Sequence, residues 1–207
     1  GQPRSQVWCP KTTVVAQAGG WTGSALEGFL SGWYGALWSI EDFGLVFSST
    51  GGTGTAHDLI YVREAWFRVY DRAAIVGSGA TGYPLRAYAG RIDLNRAGVG
   101  GGGMSSSIFT GANNSHFTAV RCNLGGCSAN ALEFGASFGQ ISQTNLASGN
   151  NGIYATALSS VRVQSSRIAA MMVGSYAKDS DVYVTLDAFI RSTLGLDWAV
   201  KGFHHDG

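Results

Sequence analysis

Apolar residues recur along this chain in a fixed triplet: one residue, a second two places on, and a third five places after that. The triplet occurs as Trp38/Ile40/Leu45, Ile60/Val62/Phe67, Ile92/Leu94/Val99, Phe117/Ala119/Leu124, Gly139/Ile141/Leu146, Val161/Val163/Ile168 and Val182/Val184/Phe189, with Gly139 the single gap. Successive copies begin 22, 32, 25, 22, 22 and 21 residues apart. In a chain with 45% hydrophobic residues, three apolar residues at fixed offsets arise by chance at roughly one position in eleven, so the even spacing carries the weight. Ser115, Ser137, Ser159 and Ser180 each stand two residues before a triplet, and Asp58 and Gly90 hold that place earlier. All are residue types that suit a turn leading into a strand.

A period near 22 is too long for a heptad and too short for a helical-hairpin repeat, but it fits one turn of a solenoid of strands. Residues i and i+2 of a strand share a face, so the first two members of each triplet enter a core, and the third marks where the chain bends back inward. A second apolar group follows each triplet, at Ile75/Val76, Ile108/Phe109, Ala131/Leu132, Ile153/Tyr154 and Ser175/Tyr176. That group predicts a further strand per coil. The expected fold is an all-β parallel solenoid with coils of about 22 residues. It divides the chain into an N-terminal cap or attachment segment over 1–35, the β-helix over 36–190 and a C-terminal cap or tail over 191–207. Roughly nine such coils would make a rod on the order of 40 Å long.

The stretch from Asn150 through Asn151-Gly152-Ile153-Tyr154-Ala155, and on through Ser160-Val161-Arg162-Val163-Gln164 to Ile168, resembles the generic coil of right-handed parallel β-helix proteins. Within that class the short, Gly- and Ser-rich, weakly charged chain is most similar to bacteriophage tailspike, fibre and head-spike components. The resemblance covers about residues 36 to 190 and is a pattern of residue types. The Asp-rich motif common at the start of tailspike β-helices is not visible. The resemblance implies a homotrimer that contacts other virion proteins and host cell-surface polysaccharide. It also implies a virion location, with assembly in the host cytoplasm.

Composition fits a β protein of this kind. Three prolines, 31 glycines, 13% charged residues and a net charge of +1 describe neither a disordered tail nor a polyanion binder, so nucleic acid is not an expected partner. No apolar run reaches the ~18 residues of a membrane span, because Glu27, Glu41 and Asp42 interrupt the Trp-rich early region, and membrane insertion is not expected. No secretory signal pattern is found. Cys122 and Cys127 are close enough in sequence for a local disulfide, but free thiols in a reducing cytosol are the preferred reading. No cofactor and no metal site are expected; His204-His205-Asp206 at the end reads as a solvated pair.

The long intervals predict loops, one containing Gly77 to Pro84 and the other Gly100 to Gly103; the second lacks the helix and the Lys-Ser/Thr of a phosphate-binding loop. Two residues after the second triplet member, a bend column reads Asp42, Glu64, Arg96, Arg121, Gln143, Ser165, Leu186. Asp42 and Glu64 on adjacent coils would lie about 5 Å apart, the separation of a retaining glycosidase pair, which makes them the candidate catalytic residues. The competing and preferred reading is an acid-to-Arg ladder on a solvated edge. Glu133 has column neighbours Gly111, Ala155 and Ala177 on this reading, and so no partner. Early aromatics, Trp21, Phe29, Trp33, Tyr34, Trp38 and Phe43, cap the open end of the rod on the preferred reading; exposed, they would offer flat faces to sugars or a subunit contact. Trp33 and Tyr34, with Arg96 and Arg121, are the candidate binding residues.

Three function classes remain: a structural or receptor-binding spike or fibre, a polysaccharide-cleaving β-helix enzyme (glycoside hydrolase or lyase), and a bacterial surface adhesin. The first needs only a stable rod with exposed polar columns and is the expected one. An enzyme would be a polysaccharide depolymerase whose acids rest on the Trp38 copy.

Overall fold

The chain closes each coil with three strands, and the coils stack into three parallel sheets. The computed structural model describes residues 12–17, 30–33, 37–41, 43–48, 58, 60–71, 73–78, 83–104, 107–148, 150–170, 173–184 and 189–192. Sheet 1 comprises Leu30–Trp33, Ile60–Arg63, Leu85–Tyr88, Phe109–Ala112, Leu132–Gly135, Asn151–Thr156 and Val173–Lys178. Sheet 2 comprises Leu37–Glu41, Trp66–Tyr70, Arg91–Asn95, His116–Val120, Phe138–Ser142, Ser160–Gln164 and Asp181–Val184. Sheet 3 holds Thr12–Gln17, Phe43–Ser48, Ala74–Ser78, Gly98–Met104, Asn123–Cys127, Asn145–Ser148, Arg167–Ala170 and Phe189–Ser192. All the pairings are parallel, and there is no helix among the described residues. The fold is thus an all-β parallel β-solenoid with coils about 22 residues apart, as the triplets predict.

The register corrects two copies of the triplet. Phe67 and Val69, not Ile60 and Val62, stack between Trp38/Ile40 and Ile92/Leu94 in sheet 2, and Ile75 completes that copy between Leu45 and Val99. Ile60 and Val62 belong to sheet 1, next to Leu85 and Ala87. Ile75/Val76 is accordingly a sheet 3 strand and not the second apolar group of its coil. At the far end Ile190, not Phe189, pairs with Ile168.

Each coil turns two of its corners through one residue or two with positive φ. Glu64, Ala89, Asn113, Ala136, Ala157 and Asp179 turn sheet 1 into sheet 2; Asp71, Arg96, Arg121, Gln143 and Ser165 turn sheet 2 into sheet 3. That backbone costs an L-residue about 1–2 kcal/mol, offset by the strands it aligns. Buried hydroxyls then lace the coils together. Ser115, Ser137, Ser159 and Ser180 sit just inside the first corner, nearly inaccessible. The Ser137 amide donates to Ser159 Oγ at 3.1 Å and the Ser159 amide to Ser180 Oγ at 3.0 Å. A second ladder runs inside the other corner, from the Cys122 amide to Thr144 Oγ1 and from the Thr144 amide to Ser166 Oγ, each at 3.2 Å. These side chains satisfy amides that the turn removes from the sheets.

The core is a stack of inward residues from all three sheets, with Phe67, Phe109, Phe117 and Phe134 its largest side chains. Phe109 and Phe117 stack at 4.3 Å, and Phe134 meets Phe109 at 5.4 Å and Phe117 edge-on at 6.3 Å. Two glycines make room for these rings. A Cβ on Gly111 would lie 2.7 Å from Phe109 Cζ, and one on Gly139 would lie 2.7 Å from Phe134 Cζ. The gap in the triplet at Gly139 is therefore filled by the neighbouring strand's phenyl ring. Cys122 and Cys127 are both buried free thiols.

Candidate functional site

With the apolar side chains inside, function falls to what the outer faces and corners present. The corner between sheets 2 and 3 carries Asp71, Arg96, Arg121, Gln143 and Ser165 as a column. Arg96 Nη1 lies 3.5 Å from Asp71 Oδ1, and Arg121 Nε donates to Gln143 Oε1 at 2.7 Å. The Arg96 and Asp71 side chains are more than half exposed, so water screens the pair heavily. Asp71, rather than Glu64, is the acid beside the arginines.

Glu64 stands at the opposite end of sheet 2, in the column of Ala89, and its carboxylate lies 3.8 Å from Arg63 Nε. Asp42, Tyr34 and the Trp33 side chain lie outside the described residues, so the Asp42–Glu64 pair is not described. Glu64 does line an open groove of about 310 Å³ with Leu37, Trp66, Arg91 and His116, floored by Ala65, Ala89 and Gly90. The groove runs along the axis because Leu37, Trp66, Arg91 and His116 occupy one outward column of sheet 2. Beneath the floor Gly90 leaves room for the core: a Cβ there would approach Val62 Cγ1 to 2.9 Å and Val62 O to 3.0 Å.

Sequence reasoning missed the cluster that fixes this groove. Trp66 Nε1 donates to Asp93 Oδ2 at 2.7 Å, and Arg91 Nε reaches both Asp93 oxygens at 3.0 Å. The Arg68 guanidinium lies 3.6 Å from the centre of the Trp66 ring and that of Arg91 lies 4.7 Å away. His116 stacks on Phe138 at 5.0 Å. Asp93 is nearly buried, which strengthens its charge-assisted bonds and commits its carboxylate to holding Trp66 and Arg91. Among its described lining residues the groove therefore offers an acid, Glu64, beside Arg63, an exposed imidazole and a guanidinium fixed by Asp93. Such a set, among the described residues, suits polar contact with a ligand. The signal was present as Trp66-Phe67-Arg68 and Arg91-Ile92-Asp93, but only the correct register aligns them.

Burial raises the Tyr61 and Tyr83 hydroxyls above the usual phenol range, with the nearby arginines opposing the rise in both; at Tyr83 the charge of Glu133 reinforces it. No group of three or more potential metal-ligating side chains is found among the described residues. No helix among them is long and apolar enough to cross a membrane. The fold and outer columns define the class as a parallel β-solenoid. No family model matches the chain, and no match to a curated protein or to a solved structure was found.

Proposed function

We propose that this chain is a structural and receptor-contacting component of a spike or fibre, of the bacteriophage kind its coils resemble, and that it holds its outer columns against host cell-surface polysaccharide. The observation that supports this most is the axial column of Leu37, Trp66, Arg91 and His116 beside Glu64, set on three sheets whose strands pair from coil to coil throughout. A solenoid repeats each position from coil to coil and so carries such a column along its axis. On this reading the assembled form is a homotrimer of parallel chains joined to other particle proteins. Buried, reduced Cys122 and Cys127 fit assembly in a reducing cytoplasm before release in an extracellular particle.

Incubation of the purified chain with host surface polysaccharide tests the reading. The expected result is retention of polysaccharide with no new reducing ends and no unsaturated product. Release of reducing ends that disappears in Glu64→Gln would overturn the non-catalytic role and favour the depolymerase. Absence of any retention by the assembled protein would overturn the attachment role.

A further inference from the structure

The outer face of sheet 1 has two columns. One reads Tyr61, Arg86, Thr110, Glu133, Tyr154, Tyr176, and the other Arg63, Tyr88, Ala112, Gly135, Thr156, Lys178. In the second column large side chains thus stand at both ends and small ones in the middle. Between the strands bearing Arg86/Tyr88 and Tyr154/Thr156, three strand spacings of about 4.8 Å leave roughly 14 Å in which the second column has only Ala112 and Gly135. Tyr154 is backed by Tyr176, the rings 5.0 Å apart and 8° from parallel. Arg63 braces Tyr88 from the other side at 5.4 Å.

Gly135 has no structural need to be glycine. Its φ is not positive, and a Cβ there would make only ordinary contacts, 3.6 Å to Gly111 O and 4.0 Å to Thr156 Oγ1. Gly111 and Gly139, by contrast, are forced by phenyl rings within 2.7 Å. A strand position that admits a side chain yet carries none keeps the surface open.

The trough also holds an oriented polar group. Glu133 Oε1 accepts from Ser107 Oγ and from Asn130 Nδ2 at 2.7 Å. Asn130 is itself fixed, accepting from Asn151 Nδ2 at 2.7 Å. Glu133 Oε2 has no hydrogen-bond partner among the described residues. Arg86 is held by Asp58 at 3.3 Å with over a third of its side chain exposed. Each charge is thus held in place by its hydrogen-bonded partners.

We propose that this trough, floored by Thr110, Ala112, Glu133 and Gly135 and walled by Arg86, Tyr88 and Tyr154, binds an uncharged pyranose unit of a glycan. The inference rests on the reading of the chain as a polysaccharide-contacting rod and supplies the subsite and ligand class. An acidic sugar would meet the Glu133 carboxylate, and a cationic one would meet Arg63 and Arg86. A neutral sugar has hydroxyls to donate to Glu133 and accept from Arg86, and C–H faces to lay on tyrosine.

Calorimetric titration of the full chain with maltohexaose, cellohexaose and chitohexaose, with oligogalacturonate as the acidic comparison, tests the proposal. Binding of at least one neutral oligosaccharide is expected, weakened about tenfold or more by Gly135→Tyr, which fills the trough, and by about tenfold in Tyr154→Ala. Gly135→Tyr should melt within a few degrees of the parent, because the side chain enters open space on an outer face. Glu133→Gln, which keeps shape and removes charge, should weaken neutral sugars less than Gly135→Tyr and should relax the exclusion of oligogalacturonate. Neutral sugar binding unchanged by Gly135→Tyr would overturn the trough while leaving the attachment role standing. Binding of oligogalacturonate alone would overturn the neutral ligand class, and binding of none of the four would overturn the subsite.

Discussion

Replacing Gly139 by valine restores the apolar triplet that the sequence breaks, so pattern alone predicts a gain from the substitution. The structure predicts a loss. The valine Cβ would lie 2.7 Å from Phe134 Cζ, 2.9 Å from Phe134 Cε1 and 3.0 Å from Val161 Cγ1, in a core where Phe134 is 1% exposed and Val161 fully buried. Overpacking of this kind costs about 1–3 kcal/mol, partly offset by up to about 1 kcal/mol of strand preference for valine over glycine. A net loss of about 2 kcal/mol lowers the melting temperature of a chain this size by about 4–8 °C. Phe134→Ala alone should cost about 3–5 kcal/mol through the cavity it leaves. Combined, the two should recover at least about 1 kcal/mol relative to their sum, because the valine occupies space the ring vacates. Thermal and urea melts of the four proteins measure that coupling. A Gly139→Val protein more stable than the parent, or two changes that simply add, would refute the account of Gly139 as room for the ring.

Val163→Asp places a carboxylate in a fully buried column and should prevent soluble folding, whereas Arg162→Asp on the exposed face should melt within about 0.5 kcal/mol of the parent. Burial pushes the Cys122 thiol up to about 11. The unfolded chain therefore releases that proton first, and stability holds below about pH 8.5 and falls as pH rises towards 11; denaturant melts across that range should show it. Tyr61 and Tyr83, raised in the same sense, extend the loss beyond pH 10. Cys122→Ala, matching Ala73 and Ala97 at the same place in earlier coils, should flatten the slope near pH 9–10. Asp71→Asn should change stability by less than about 0.5 kcal/mol, because its partner Arg96 and the acid itself are largely exposed. Ser159→Ala, which leaves the buried Ser137 amide without its acceptor, should cost about 1–3 kcal/mol in the same melts.

The solenoid was legible because its cause is local: strand alternation and a constant coil length together impose a period that few other folds share. The register was legible only where coils are free of insertions. Ile60/Val62/Phe67 satisfies the triplet, yet it joins the inward pair of sheet 1 to the first inward residue of sheet 2. Leu85/Ala87/Ile92 satisfies it in the same way. The two corners consume similar numbers of residues, so one sequence spacing fits both, and only pairing with the next coil tells them apart. With even coils from Ser115 onward the ambiguity is harmless. Before Phe67, where the interval is longer, it shifts the copy by one whole sheet.

That degeneracy also explains why the outer surface was harder to read than the core. A column is a statement about lateral neighbours, and a one-residue slip in a strand exchanges inside for outside. Glu133, set against Gly111 and Ala155, looks isolated because those residues face the core; its lateral neighbours are Thr110 and Tyr154, on the outer face. Glu64, set against Arg96, looks like part of a charge ladder; its neighbour is Ala89, and Asp71 takes the ladder position. The core tolerates such slips on paper, since apolar residues are abundant and any of several will fill an inward slot. Polar chemistry does not, because Trp66, Arg91 and Asp93 act together only when their strands lie side by side in one register. In a solenoid the fold follows from the period of the sequence, while the binding surface follows from the phase between successive periods.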